Sequence, residues 1–160
     1  QFILGIMLDD ILTYANEFFS LLSRGRYSLR RLEGSAGGNA KSGLDLEVLD
    51  GFTGAPRSIE TLSGGEQFLA SLSLAFGLSD VVQSYSGSVR LDSIFIDEGF
   101  GSLDQDTLDT AMKALSQIQK MGRTVGIISH VSELKNRIAT QVQVHPSKNG
   151  GSSITMIKDA

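Results

Sequence analysis

The feature that most constrains this chain is a short apolar segment that ends in two adjacent carboxylates, Asp97 and Glu98. Leu91 and the run Ile94 to Ile96 favour a buried strand. An open α/β sheet keeps its ligand site beyond the carboxyl ends of its strands, so this position favours a functional acid pair. Adjacent residues on an extended strand point to opposite faces. We therefore expect one carboxylate to hold a metal ion through water and the other to face a reacting water.

A second motif, LSGGEQF, has the pattern of a helix start. Ser63 and Glu66 match the S-x-x-E capping box, and an amphipathic run follows. Gly64 and Gly65 leave the backbone N–H groups of the first turn open at the positive end of the helix dipole. A capping box alone indicates only a helix. Two glycines inside it, followed by a strand ending in Asp-Glu, favour a phosphate-containing ligand.

Four motifs occur in the order found in ABC-type ATPases. LSGGE resembles the signature motif, IFIDE the Walker B strand, GSLD (Gly101 to Asp104) the D-loop, and IISH, ending at His130, the switch histidine. Within this superfamily the run DEGFGSLD and the long spacing from Glu66 to Asp97 resemble the SbcC family. Its members are bacterial coiled-coil ATPases that work with the SbcD nuclease on DNA ends. The resemblance covers roughly Tyr27 to the C-terminus.

This resemblance implies ATP hydrolysis, which depends mostly on positioning and on electrostatic stabilisation of the transferred phosphoryl group. It implies that Asp97 holds Mg²⁺ through its water shell, and that Glu98 orients or deprotonates the attacking water. It implies that His130 senses the γ-phosphate, and it places Ser102 and Asp104 at a dimer interface beside the nucleotide. ATP would be sandwiched between two heads. The nucleotide held by the opposite protomer would therefore be contacted by Ser63, Gly64, Gly65 and Glu66.

The implied fold class is α/β: the C-terminal lobe of an ABC-type ATPase head, a mixed sheet with flanking helices plus an antiparallel β meander. Residues 1–24 would be the helix that re-enters from the coiled coil and carries the nuclease, and residues 25–160 the C-terminal ABC ATPase half-domain. The implied partners are the N-terminal half of the same head, a second copy, an SbcD-type nuclease and, in the full complex, DNA. Head closure would control that nuclease in double-strand-break repair and DNA-end processing, and nuclease activity would belong to the partner.

Hydrophobic periodicity predicts the other elements. Apolar residues recur at helical spacing from Ile3 to Arg24, and Tyr27 to Leu32 and Leu44 to Asp50 alternate as in an antiparallel meander. Gln83 to Arg90 has the composition of a polar turn. The remaining predictions are a helix to Met121 capped by Gly122, a strand from Thr124 to Ser129, a short helix from Ser132 to Arg137, and a hairpin of Gln141 to His145 with Ser153 to Lys158.

The loop from Gly34 to Gly43 contains Gly, Lys and Ser, yet it does not match a P-loop. The pattern G-x-x-x-x-G-K-[ST] requires glycine where this chain has Ser35 and Ala40. A P-loop is also followed by a helix, whereas the residues after this loop favour a strand. We therefore expect a mobile hairpin tip here, with Walker A and the adenine contacts in the N-terminal half of the head.

Composition restricts the remaining classes. The 160 residues include no cysteine and two histidines, which excludes disulfides and thiolate metal sites and disfavours a histidine-based zinc site. The net charge of −4 provides no global attraction to DNA, so a contact would be local. The candidate local patch consists of Arg24, Arg26, Arg30 and Arg31.

The apolar N-terminus is not a convincing targeting or membrane segment. Phe2 to Leu8 lacks a preceding basic segment and is followed by two aspartates, which argues against a signal peptide. No segment has the length needed to span a membrane, and the composition is compatible with a cytoplasmic protein.

Two alternatives share the ATP chemistry. A nucleotide-binding subunit of an ABC transporter would have Walker A upstream in one short continuous domain and a membrane-protein partner, and such proteins tend to read DEP-x-x-x-LD rather than DEGFGSLD. The head of an SMC-type chromosome-organising protein would have a hinge at the far end of its coiled coil.

Overall fold

The computed structural model describes residues 2–32, 45–87, 90–147 and 150–158. Its helices are α1 (Phe2–Leu22), α2 (Gly64–Ser86), α3 (Gln105–Lys120) and α4 (Ser132–Lys135). Its strands are β1 (Tyr27–Arg31), β2 (Leu46–Asp50), β3 (Ala55–Ser58), β4 (Ser93–Asp97), β5 (Thr124–Ile128), β6 (Gln141–Pro146) and β7 (Ser152–Ile157). Single 3-10 turns are formed by Ile59–Thr61 and Phe100–Ser102.

The described strands pair in three small sheets. The order β1-β2-β3 is antiparallel throughout, as the alternating patterns predict. β4 and β5 are parallel, with Ile96 opposite Ile127 and Asp97 opposite Ile128. β6 and β7 form an antiparallel hairpin. The α/β class and the antiparallel meander are therefore confirmed.

The two long helices α1 and α2 pack closely against each other. Phe19 and Phe76 are fully buried, and the rings of Phe18 and Phe76 lie 5.0 Å apart. A Cβ added at Gly77 would lie 2.5 Å from the carbonyl oxygen of Ile11 and 2.7 Å from the backbone nitrogen of Ala15. Only glycine permits this backbone approach, so Gly77 sets the distance between the helices.

The parallel pair β4–β5 has one covered face and one open face. Ile96 is buried in the same apolar cluster as the inner side of α3, which contributes Leu108, Ala111, Leu115 and Ile118. On the other face Phe95 is 73% exposed and Ile128 is 56% exposed. The open face is apolar in a position where a soluble sheet is normally covered.

The predicted polar turn from Gln83 to Arg90 is wrong in its first half, because α2 continues to Ser86. The hydroxyls of Ser84 and Ser86 donate to the carbonyls of Val81 and Val82, and the helix ends only where Gly87 adopts φ +58°. Serines that bond to earlier carbonyls in this way are compatible with a helix. The other predicted elements are present with small shifts in their ends, and the loop Gly34 to Gly43 lies outside the described residues.

Candidate functional site

The predicted acid pair lies at the carboxyl end of β4, but only its first member is extended. Along the strand Ile94 and Ile96 face the core side, while Phe95 and Asp97 are exposed. Glu98 adopts φ +61°, and its N–H still donates to the carbonyl of Ile128 at 2.8 Å. Strand alternation therefore does not determine where the Glu98 side chain points. A non-glycine residue in this region is strained, and such strain is concentrated at functional sites.

The turn after the acid pair is held by helix α2. Gly99 has φ +95°, and a Cβ added there would lie 2.3 Å from the ring of Phe68. That ring packs edge-on against Phe100 with centroids 5.0 Å apart. Two successive left-handed residues, Glu98 and Gly99, thus turn the chain sharply against the helix that begins with the signature motif.

His130, the second residue predicted to be catalytic, contacts Glu98, the first. Nδ1 of His130 lies 3.0 Å from Oε2 and 3.1 Å from Oε1 of Glu98. The contact arises because β4 and β5 are parallel, so that the residues after Asp97 and after Ile128 leave the sheet at the same edge. Both side chains are accessible to solvent.

The signature motif forms the helix start that its spacing predicts. The Glu66 N–H donates to Ser63 Oγ at 3.3 Å, and the Ser63 N–H donates to Glu66 Oε2 at 2.8 Å. Both bonds of the capping box are present. A Cβ added at Gly65 would lie 3.3 Å from Cδ2 of Leu103 and 3.4 Å from the carbonyl oxygen of Ser102. The first turn of α2 therefore packs against the D-loop of the same chain.

The D-loop residues shape the loop and the start of α3. The Ser102 hydroxyl donates to the carbonyl of Gly99 at 2.8 Å. Asp104 is the N-cap of α3, and its Oδ1 accepts from the Thr107 N–H at 2.8 Å. This backbone hydrogen bond lowers the pKa of Asp104 and keeps it ionised. A Cβ at Gly101 would lie 3.8 Å from Val131, next to His130, so the loop links the two groups of predicted residues.

The carboxylate of Glu66 faces its own chain. Oε1 accepts from the Tyr27 hydroxyl at 2.7 Å and lies 3.8 Å from a guanidinium nitrogen of Arg26. Burial would raise the pKa of Glu66, but hydrogen bonds from the Ser63 N–H and the Tyr27 hydroxyl outweigh it, and the pKa is lowered. A carboxylate held in this way is an acceptor directed toward the β meander. Because the capping box takes up the N–H groups of Ser63 and Glu66, the N–H groups of Gly64 and Gly65 are the ones left in this turn to meet an anion.

The predicted metal residue, Asp97, is a single exposed carboxylate. Across the described residues there is no group of three or more His, Asp or Glu side chains that could hold a metal ion. Mg²⁺ commonly keeps several waters and binds through one or two carboxylates plus substrate phosphates. One carboxylate from this chain is consistent with that mode.

The arginines of the candidate DNA patch all have partners within the chain. Arg26 lies 3.2 Å from Asp50, Arg30 2.7 Å from Glu47, and Arg31 3.4 Å from Asp9. Arg24 donates to Thr110 at 3.0 Å. Three of the four positive charges are paired with carboxylates, so the structure adds no support for this patch.

The sequence did not single out Tyr27, Asp50 or Arg57, which surround the helix start. The Tyr27 hydroxyl accepts from Arg57 at 2.9 Å, and Asp50 is 3% exposed. The sequence signal available was weak: an aromatic residue with a polar tip at an inward position of β1, opposite Asp50 in the register.

Solved structures that resemble this fold include heads of SMC ATPases. A structure from work on ATP-driven dimerisation and DNA-stimulated activation of SMC ATPases superposes with a TM-score of 0.68 at 19% identity, covering 98% of this chain and 88% of that one. The SMC head domain from Thermotoga maritima superposes with a TM-score of 0.63 at 20% identity, covering 94% and 48%. The chain therefore has the fold of an SMC-type ATPase head, and its motifs lie in the order found in ABC-type ATPases.

Sequence comparison narrows this class. The family model described as SbcC/RAD50-like, Walker B motif, matches residues 39–117. The SbcC component of the SbcCD nuclease from Vibrio cholerae is 55% identical over 150 residues, which are 94% of this chain and 15% of that protein. Its counterpart from Staphylococcus aureus is 51% identical over 144 residues, which are 90% of this chain and 14% of that protein. The chain belongs to the SbcC/RAD50-like family and spans about 15% of the length of these relatives.

Within the described part of the chain, no helix combines the length and the apolar character needed to cross a bilayer.

Proposed function

We propose that this chain is the C-terminal half of an SbcC-type ATPase head, in which ATP binding and hydrolysis drive head dimerisation and control a partner nuclease on DNA ends. The observation that carries the proposal is the meeting of Glu98 and His130 at 3.0 Å beyond two parallel strands. The D-loop joins this pair to the start of the signature helix. The motif order and the 55% identity to an SbcC protein support the same function.

Each residue of the acid pair has a separate role in the proposed mechanism. Glu98 orients the attacking water and accepts its proton, and the left-handed backbone turns its carboxylate toward His130. With Nδ1 of His130 held by Glu98, the opposite ring nitrogen is the atom that meets the γ-phosphate. Mg²⁺ bound with ATP neutralises phosphate charge, and Asp97 would hold it through water.

The signature turn acts on the nucleotide of the second head. The N–H groups around Gly64 and Gly65 lie at the positive end of α2, a helix of 23 residues, and attract an anion. The D-loop lies beside this turn, since a Cβ added at Gly65 would lie 3.3 Å from Leu103, and this supports a position for Ser102 and Asp104 at the same proposed interface. A two-fold dimer then contains two composite sites, each completed by both protomers.

The exposed apolar surfaces match the proposed partners. The open face of β4–β5, with Phe95 and Ile128, is the surface on which the N-terminal half would dock and bring Walker A. On α1 the exposed residues Leu4, Ile6 and Leu21 support a coiled-coil entry with an SbcD-type nuclease beside it.

ATP turnover tests the proposal. The chain is assayed alone and mixed with the N-terminal half of its parent protein, each with and without Glu98→Gln. We expect turnover only in the mixture and a loss of about 10² to 10⁴ with Glu98→Gln, the range that a positioned general base contributes. Glu133→Gln, an identical change at an exposed position after His130, is the control and should leave turnover unchanged.

Two results would contradict the proposal. Turnover by the chain alone would mean that it carries its own phosphate-binding loop. Full turnover with Glu98→Gln in the mixture would show that Glu98 takes no part in the reaction.

A further inference from the structure

A buried tyrosine connects the signature helix to the β meander. Tyr27 is 4% exposed, and its ring lies 6.0 Å from that of Phe19. Its hydroxyl donates to Glu66 Oε1 at 2.7 Å and accepts from Arg57 at 2.9 Å. The guanidinium of Arg26 lies 4.6 Å from the ring centroid. This one side chain therefore joins β1, β3 and the first turn of α2.

A buried carboxylate anchors the two arginines of this network. Asp50 Oδ2 lies 3.2 Å from Arg26 and 3.7 Å from Arg57. Its Oδ1 accepts from the Phe52 N–H at 3.0 Å, and this bond is the main cause of the lowered pKa of Asp50. Because Asp50 stays ionised, Arg57 is held in place to donate to the Tyr27 hydroxyl. The tyrosine proton is then directed toward Glu66.

The Glu66 carboxylate divides its two oxygens between two tasks. Oε2 closes the capping box by accepting from the Ser63 N–H, and Oε1 accepts from Tyr27. If the Tyr27 hydroxyl were absent, a half-buried oxygen would lose its donor, and rotating the carboxylate toward water would open the capping box. A carboxylate released at this position would also lie beside any phosphate bound at the helix start and would repel it.

We propose that Tyr27 is a positioning residue for the signature motif: its hydroxyl holds the Glu66 carboxylate so that the first turn of α2 stays aimed at the nucleotide of the second head. This inference rests on the proposed function. Since the signature motif acts across the dimer, Tyr27 supports dimerisation and turnover and has little influence on nucleotide binding by a separate head.

The test is Tyr27→Phe in the intact head, which keeps the buried ring and removes only the hydroxyl. We expect ATP-driven dimerisation and kcat to fall about tenfold, corresponding to the loss of a hydrogen bond to a charged group. Nucleotide affinity of the separate head should stay within about twofold. An unchanged circular-dichroism spectrum would show that the fold is kept.

Tyr85→Phe is the matched control. Tyr85 lies near the other end of α2, and its hydroxyl also donates to a carboxylate, Asp10 at 2.6 Å. The chemical change is identical, but the site is remote from the signature turn. We expect wild-type dimerisation and turnover.

A double-mutant cycle with Glu66→Ala tests the route of the effect. If Tyr27 acts through Glu66, Glu66→Ala alone reproduces the dimerisation defect, and adding Tyr27→Phe has no further effect. Glu66→Gln keeps one acceptor oxygen in place of two, so its activity should lie between those of wild type and Glu66→Ala. If Tyr27→Phe does not fold, Arg57→Ala, which removes the donor that directs the Tyr27 proton toward Glu66, is the second variant and should give the same defect. Wild-type dimerisation by Arg57→Ala would overturn the positioning role.

The inference and the proposed function fail in different ways. If wild-type heads hydrolyse ATP and dimerise, but Tyr27→Phe behaves like Tyr85→Phe, the positioning role is overturned and the ATPase assignment remains. Additive effects of Tyr27→Phe and Glu66→Ala would overturn the role in the same way. If wild-type heads neither dimerise with ATP nor hydrolyse it, both are overturned.

Discussion

At the residue scale, the site depends on two positions where the backbone is left-handed. Glu98 has φ +61°, a backbone conformation that is unfavourable for residues other than glycine. Its carboxylate contacts His130. Gly99, at φ +95°, completes the turn under Phe68. The strain at Glu98 is maintained by the packing around it, as is common where function requires an unfavourable conformation.

Gly99→Ala should destabilise the chain more than other substitutions at left-handed glycines. Alanine at this φ costs about 1 to 2 kcal/mol, and its Cβ would also lie 2.3 Å from the Phe68 ring, which adds about 1 to 3 kcal/mol of overpacking. Gly87→Ala is the control, since Gly87 has φ +58° with nothing within 4 Å of an added Cβ. Urea denaturation measures both variants. Equal losses of unfolding free energy would show that contact with Phe68 does not restrict Gly99.

The helix start should be acid-sensitive through Glu66. The folded-state pKa of Glu66 is lowered, so its stabilising effect is fully present above the unfolded pKa of about 4.3 and is lost as pH falls through the folded pKa. Wild type should therefore melt higher than Glu66→Gln above about pH 5, and the difference should shrink below about pH 4. Melting curves by circular dichroism from pH 7 to pH 3 measure this. A difference that grows toward acid would contradict the assigned direction.

At the element scale, the packing of α1 against α2 fixes the position of the candidate site. α1 packs along α2, and α2 carries the signature turn at its N-terminus and Phe68 one turn later. The turn after α1 also holds Arg24, whose guanidinium donates to Thr110 at 3.0 Å on α3. Movement of α1 would therefore be transmitted to α2, which begins with the signature motif, and to α3, which follows the D-loop.

Gly77→Ala should separate the two helices. The added Cβ would lie 2.5 Å from the Ile11 carbonyl oxygen and 2.7 Å from the Ala15 nitrogen, and backbone atoms cannot move aside as a flexible side chain can. We expect a loss of about 1 to 3 kcal/mol in unfolding free energy, although alanine is the better helix former. Ser71→Ala, at an exposed position of α2, should be neutral or slightly stabilising. A stable Gly77→Ala variant would show that the helices are not in close contact there.

At the scale of the whole molecule, the two faces of the β4–β5 sheet are covered to different degrees. One face of β4–β5 is buried with α3, whereas Phe95 on the other face is 73% exposed. The hairpin β6–β7 likewise exposes an apolar ladder of Val142, Val144, Ile154 and Met156. Surfaces of this kind are typical of interfaces, and they are available to the proposed N-terminal half.

Phe95→Lys should weaken association with the N-terminal half. Burying a lysine charge without a partner is unfavourable, and the apolar contribution of the phenylalanine is lost, so we expect at least about tenfold weaker binding. Met121→Lys is the matched control, because Met121 is 75% exposed at the C-cap of α3 and a lysine suits a helix C-terminus. Titration of one half into the other by calorimetry measures both. Equal affinities would mean that the Phe95 face is not the docking surface.

The sequence by itself was sufficient for features that depend on neighbouring residues. The capping box of Ser63 and Glu66 and the left-handed Gly122 are local hydrogen bonds or backbone preferences, and both are present in the fold. The acid pair at the end of an apolar strand was recognisable for the same reason. Local rules were insufficient where the serines at the end of α2 extended the helix beyond its last apolar residues, and at Glu98, which leaves the extended conformation that strand alternation predicts.

Only the tertiary structure decided which of these features meet. Glu98 and His130 are 32 residues apart, and Tyr27 and Glu66 are 39 residues apart, and no local pattern specifies either contact. The first follows from the parallel pairing of β4 and β5. The second follows from β1, which pairs with β2 and packs against α1 so that its first residue reaches the start of α2. The left-handed turn at Glu98 likewise depends on Phe68 and Phe100 closing around Gly99. Hydrogen-bonding patterns and backbone preferences are set over a few residues, whereas the direction of a side chain at a site is set by the packing of distant segments.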